Sequence, residues 1–226
     1  MTKHNLMMIE AIYPDWKVPS HIKAIQTVKK TGDISVFKKK IDSNFVFLNQ
    51  THGVNIVELP NNSQLDADAS FTYAKQTLSA VRTADCLPIL MTDISGSFVA
   101  AIHAGWRSLS NGIIEETLKK LKTKTEIIAW LGPCISQKNY EVGRDVYHQF
   151  IKLDPSVPCA FEKYHDKYKL ALTKAAKIKL TNLSIKNIFG NSVTQDFCTF
   201  DDQINFYSYR RSNDSGRMVS LIWIED

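Results

Sequence analysis

With 226 residues, 44% of them hydrophobic and 23% charged, the chain is long enough to bury a core and has an ordinary globular composition, which excludes a fibrous or intrinsically disordered chain. No apolar run approaches the roughly 18 residues of a membrane-crossing helix, and residues 1–16, with Lys3 and His4 among them, hold no unbroken apolar stretch leading to a small-residue cleavage site. The formal net charge of +5 comes from lysines dispersed among apolar residues, as in Lys119-Lys120-Leu121-Lys122; this reads as a solvated helix face with a mild preference for anionic ligands, not as the basic, aromatic-interleaved patch of a nucleic-acid binder. The expectation is a cytoplasmic protein with small-molecule partners, no membrane partner and no nucleic acid.

Short strand-like runs dominate the chain. One at 45–48 leads into Gln50-Thr51-His52-Gly53, and another follows at 55–59. Strands at 78–82 and 88–92 bracket Arg82-Thr83-Ala84-Asp85-Cys86-Leu87-Pro88, and a strand at 97–103 runs into His103-Ala104-Gly105-Trp106-Arg107. Helical periodicity over 112–122 places Ile113, Ile114, Thr117, Leu118 and Leu121 on one face. A strand at 126–131, helices at 142–153 and 168–180, and strands at 185–189 and 218–224 complete the series. Helices interrupt the strands irregularly, which predicts an α+β fold with a large mixed β-sheet flanked by helices. With no repeat, low-complexity tract or Gly/Ser- or Pro-rich linker, residues 1–226 read as a single domain. Cys86, Cys134, Cys159 and Cys198 are widely spaced in a chain too long to need disulfide staples, and read as thiols.

The chemistry concentrates at the three strand ends. His52, Cys86 and His103 offer two imidazoles and a thiolate, the donors zinc favours, and three protein ligands leave a fourth position for water or substrate. Taken singly, each has an ordinary reading as a buried small hydrophobe or a core histidine. Spacing does not decide between these readings, because non-local ligands have no fixed spacing.

In their order, Gln-Thr-His-Gly, Thr-Ala-Asp-Cys-Leu-Pro and His-Ala-Gly-Trp-Arg resemble the bacterial family once called multicopper polyphenol oxidases or laccase-domain proteins. Leu131-Gly132-Pro133-Cys134-Ile135, Tyr140-Glu141-Val142-Gly143, Cys198-Thr199, the run from Phe206 to Arg211 and Gly216-Arg217-Met218 extend the resemblance over about 45–224. It implies one zinc per chain held by His52, Cys86 and His103, and a mixed α/β fold similar to a bacterial cytotoxic-factor catalytic domain. It also implies one of several activities: copper-dependent phenol oxidation, editing of peptidoglycan precursors, or purine nucleoside metabolism, meaning phosphorolysis of adenosine, inosine or methylthioadenosine and deamination of adenosine.

Ligand chemistry weighs against copper as the alternative cofactor, since a multicopper oxidase needs many histidines. This chain has six, of which His4, His21, His148 and His165 lie outside the shared motifs without forming His-x-His pairs. Zinc with an open position suits deamination by lowering the pKa of a bound water to about 7. Asp85 and Glu141 are the candidate general acid/base groups. Phosphorolysis asks for anion-binding forks, and the catalytic candidate Arg107 is joined by Arg82, Arg210 and Arg211, with Gln50 beside the first ligand. Trp106, Phe206, Tyr207 and Tyr209 are candidates to stack on a base.

The chain departs from the family pattern near its N-terminus, where Thr27-Val28-Lys29 and a lone Gly32 stand in place of a longer glycine-containing segment, and at Ser108 and Ala171. None of these positions is a metal ligand. A Cys86–His103 thiol hydrolase and a metal-stabilised binding protein are the competing classes, the second requiring a fourth protein ligand. The small-molecule reading carries with it a monomer or weak homo-oligomer.

Overall fold

The computed structural model describes residues 10–31, 47–61, 65–191 and 197–226. Its centre is a six-stranded mixed sheet: β3 (Ile56–Glu58), β4 (Ala69–Thr72), β6 (Leu87–Asp93), β7 (Val99–Ala104), β8 (Ile127–Leu131) and β12 (Asn187–Gly190), in the order β12-β8-β6-β7-β4-β3. The pairs β3–β4 and β8–β12 are parallel and the rest antiparallel. All residues of β6 and β7 are buried, because these strands are covered on both faces; such strands read as continuous apolar runs.

Side-chain alternation splits the two faces. Ile89, Met91, Ala100 and Ile102 face a helical layer made of α1 (Trp106–Ser110), α2 (Ile113–Lys120), α3 (Arg144–Leu153) and α4 (Leu172–Asn182), sharing a core with Leu109, Ile113, Phe150 and Ala176. Leu90, Val99, Ala101 and Trp130 face the other way, against Ile22, Val81, Ile222 and Ile224 of a second sheet. That sheet is antiparallel in the order β1-β2-β13-β5, from β1 (Ala11–Ile12), β2 (Ile22–Thr27), β5 (Ser79–Thr83) and β13 (Met218–Ile224). Each fully buried Leu or Ile between layers contributes roughly 1.5–3 kcal/mol of transfer free energy. Lys179 of α4, buried in the helical layer, is compensated by Glu115 of α2 at 2.7 Å and Asp154 at 3.4 Å. A small third sheet joins β10 (Phe161–Tyr164), β11 (Lys167–Leu170) and β9 (Glu141–Val142), and α5 (Tyr209–Ser212) closes the site side.

The mixed sheet flanked by helices agrees with the sequence reading, and the strands from 55–59 through 97–103, with 126–131, 185–189 and 218–224, are present with ends shifted by a residue or two. Two helical expectations need correction at their starts. The helix expected over 168–180 begins at Leu172; residues before it form β11, which turns back on β10 through His165 at φ 51°. The helix expected from 142 begins at Arg144, because Val142 belongs to β9 and Gly143 is extended. The strand expected at 45–48 falls partly outside the described residues, and its described part, Phe47 and Leu48, is not strand.

Candidate metal centre

Two loops and the C-terminal end of β7 deliver the ligands to one end of the central sheet's strands. Between β5 and β6 the chain turns sharply through Asp85, whose φ of 88° is a left-handed conformation that Asp tolerates better than most residues, and Cys86 follows immediately before β6. Asp85 is held there by its own carboxylate, which accepts from Thr199 Oγ1 at 2.6 Å and from the Arg210 backbone N–H at 2.6 Å. His103 is the penultimate residue of β7, buried, with its N–H donating to the Asp68 carbonyl at 2.7 Å. His52 sits exposed on a loop at φ 60°.

The ligand atoms of His52, Cys86 and His103 all lie within 4.8 Å of one another, and Cys86 Sγ is 3.9 Å from His52 Nε2. Zinc–sulfur and zinc–nitrogen bonds in a tetrahedral site put such donors about 3.5 Å apart, so the set can hold a zinc ion once the Cys86–His52 pair closes by a few tenths of an ångström and the widest pair by about 1 Å. Among the described residues no fourth His, Cys, Asp or Glu joins the group, and no second group of this kind occurs. The close approach depends on Gly105: a Cβ there would lie 3.0 Å from His52 Cδ2 and 3.1 Å from Cys86 Sγ.

Electrostatics favour a charge-separated pair. Burial alone would push the Cys86 thiol up, but the positive charge of His103 and hydrogen bonds from His103 and His52 outweigh it, bringing the thiol down to about 6. His103 moves oppositely: burial would lower it, while the Cys86 thiolate and Asp68 raise it to about 9. A fully buried Asp68 carboxylate underlies the arrangement, with Oδ1 2.7 Å from His103 Nδ1. Burial would raise its pKa, but the hydrogen bond and positive charge of His103, with the hydrogen bonds from Gly53 and His52, bring it below the usual carboxylate value.

The three ligands open onto a cavity of about 710 Å³, which also takes in Gln50, Arg82, Asp85, Trp106, Arg107, Tyr140, Tyr209, Arg210, Ser215 and Arg217. Most residues singled out from the sequence therefore converge. Gln50 exchanges hydrogen bonds with the Arg82 backbone at 2.8 Å in both directions. The Arg107 guanidinium lies 4.3 Å from the Trp106 ring centroid, and that of Arg210 5.1 Å from the Tyr140 ring while donating to the Glu141 carbonyl at 2.8 Å. Arg82, Arg107, Arg210 and Arg217 have no carboxylate partner among the described residues.

Other candidates lie elsewhere. The Glu141 carboxylate pairs with Lys167 at 2.5 Å, outside the cavity lining. Arg211 is absorbed by the carbonyls of Thr199, Phe200 and Phe206 and by Asp214, and Phe206 packs in a buried cluster that Tyr207 flanks. Sequence reading missed Asp68, Tyr140 and Arg217. Tyr140 and Arg217 stand inside quoted motifs, which is a usable signal; Asp68, between Ala67 and Ala69, gives none.

Comparison with known proteins finds relatives along nearly the whole chain. A purine nucleoside phosphorylase of Haemophilus influenzae is 38% identical, with 96% of this chain and all of that protein aligned; the 248 aligned positions exceed the chain's 226 residues, so the relative carries residues that this chain lacks. The purine nucleoside phosphorylase YfiH of Shigella flexneri is 41% identical over 79% of this chain and 73% of its own. A Neisseria meningitidis protein solved by crystallography superposes with a TM-score of 0.87 at 31% identity, covering 96% of this chain and 99% of that one. Residues 25–225 match the family model described as multi-copper polyphenol oxidoreductase laccase, and the chain belongs to that family.

Proposed function

We propose that this chain is a zinc-dependent purine nucleoside enzyme, cleaving adenosine, inosine or methylthioadenosine by phosphorolysis and deaminating adenosine, with residues 1–226 acting as one domain, as a monomer or weak homo-oligomer. The observation that carries the reading is a three-ligand His-Cys-His group opening onto a cavity lined by four arginines that lack carboxylate partners among the described residues. The names of the Haemophilus and Shigella relatives support it.

His52, Cys86 and His103 would hold the metal, whose contribution when bound is to polarise a substrate oxygen and lower the pKa of a water to about 7. The arginines hold phosphate by bidentate forks, with Arg107 lying against Trp106 and Arg210 against Tyr140. Phosphate oxygen then bonds to the anomeric carbon as the glycosidic bond breaks, its electron pair leaving with the purine, which takes up a proton. Trp106 and Tyr209 flank the space a base would fill. Asp85 is the acid/base candidate that lines the cavity, acting by exchanging its bond to Thr199 for one to substrate. Glu141 contributes through its carbonyl, which fixes Arg210.

The test is base release from inosine with and without phosphate. Phosphate-dependent formation of hypoxanthine and ribose 1-phosphate is expected; hypoxanthine formed equally without phosphate would overturn phosphorolysis. A second reading, a thiol hydrolase with Cys86 as nucleophile and His103 as base, is favoured by the lowered thiol and raised imidazole of the metal-free chain. Activity that survives complete removal of zinc would select it.

A further inference from the structure

Asp68 is fully buried at the entrance to β4, and a carboxylate taken out of water at such a place costs several kcal/mol unless donors surround it. Five donors do so. Oδ2 accepts from the Thr51 N–H at 3.1 Å, Thr51 Oγ1 at 3.1 Å and the Gly53 N–H at 2.7 Å, while Oδ1 accepts from the His52 N–H at 2.9 Å and His103 Nδ1 at 2.7 Å. Its backbone is pinned as well, with the N–H donating to the Asn55 carbonyl at 3.0 Å and the carbonyl accepting from His103 N–H at 2.7 Å.

We infer that Asp68 is the positioning residue of the metal centre, one carboxylate that sets both histidine ligands at once. On His103 it takes the Nδ1 proton, which leaves Nε2 as the lone-pair nitrogen available to a metal. On His52 it gathers three successive backbone N–H groups and so holds that residue at φ 60°, a conformation a non-glycine residue adopts only when its surroundings enforce it. Because the two histidines share a single oxygen, Oδ1, a displacement of Asp68 shifts their relative placement and not only one ring. A merely structural carboxylate would satisfy the Thr51–Gly53 turn alone and would have no bearing on which His103 nitrogen carries the proton.

The inference rests on reading His52, Cys86 and His103 as a zinc site, and the experiment separates the two claims. Zinc affinity, by competition with a chromophoric chelator, and the His103 tautomer, by ¹⁵N NMR of the metal-free protein at alkaline pH where the ring is neutral, are measured in the wild type, Asp68→Asn and Asp68→Ala. Asn keeps the shape of Asp and preserves a folded test protein should Ala fail to fold. A roughly 10–100-fold loss of zinc affinity is expected in Asp68→Asn, with the Nδ1-protonated form of His103 no longer dominant. Wild-type zinc affinity in Asp68→Asn, or an unchanged His103 tautomer, overturns the role of Asp68. Failure of the wild type to bind zinc overturns instead the metal reading on which it rests.

Discussion

Replacing Gly105 by Ala tests whether the ligand cluster is as tightly made as its distances imply. Gly105 has φ −70° and ψ 166°, a conformation alanine adopts freely, so the substitution brings no backbone strain. Its effect comes from the added methyl group, 3.0 Å from His52 Cδ2 and 3.1 Å from Cys86 Sγ. To reach the 3.4 Å edge of ordinary contact, His52 must retreat 0.4 Å and Cys86 0.3 Å. A metal site tolerates roughly 0.5 Å of ligand displacement, so two of three donors use most of that margin. Zinc affinity should fall by about 10-fold or more, roughly 1.4 kcal/mol, while the melting temperature of the metal-free protein stays near that of the wild type. Chelator competition reads the first and calorimetry the second. Unchanged zinc affinity in Gly105→Ala would refute the proposed convergence of His52 and Cys86 on one ion.

Further consequences concern the ligand, the anion site, the acid limb and the core. Cys86→Ser replaces a soft anionic donor by a hard oxygen, so zinc content and nucleoside turnover should fall together while the circular dichroism spectrum is kept; full zinc with abolished turnover would point to a nucleophile instead. Arg107→Lys keeps charge and loses the planar fork, so the KM for phosphate should rise several-fold with zinc retained, and unchanged phosphate kinetics would remove Arg107 from the anion site. Burial would raise the Asp93 carboxyl, but hydrogen bonds from Ser97, Thr123 and Ser95 hold it well below the usual carboxylate range. The ionised form therefore stabilises the fold above about pH 4, and that stability is lost as the pH falls through the depressed folded value. Urea titrations should show Asp93→Asn losing most near neutrality and converging on the wild type in acid; a constant difference would contradict the argument. Leu90→Ala, opening a hole between the two sheets, should cost about 3–5 kcal/mol, and a loss under 1 kcal/mol in urea unfolding would show that the layers repack.

The sequence made the central strands legible because β6 and β7 are covered on both faces and spell continuous apolar runs, and Cys86 and His103 were legible because they stand at the ends of those runs, whereas His52 was marked by its motif alone. β4 was not legible: Ala-Ser-Phe-Thr is buried throughout, yet its small residues carry no alternation. Lys167–Leu170 was absorbed into the following helix because Tyr168 and Leu170 extend that helix's apolar spacing backwards, and only pairing with β10 separates them. The same limit applies within the site. Asp68 is chosen by contacts with residues 15 to 17 positions before it and 35 after it, which no local pattern encodes. Arg211 and Arg210 are neighbours in sequence with different roles, one enclosed by three carbonyls and Asp214 and the other lining the cavity, because α5 turns them apart.

The measurement closest to the central claim is elemental analysis of protein purified without added metals. The account predicts about one zinc per chain, removable by chelation and lost when His52 or His103 is replaced. Several equivalents of copper, or negligible zinc in protein that still turns over inosine with phosphate, would contradict it.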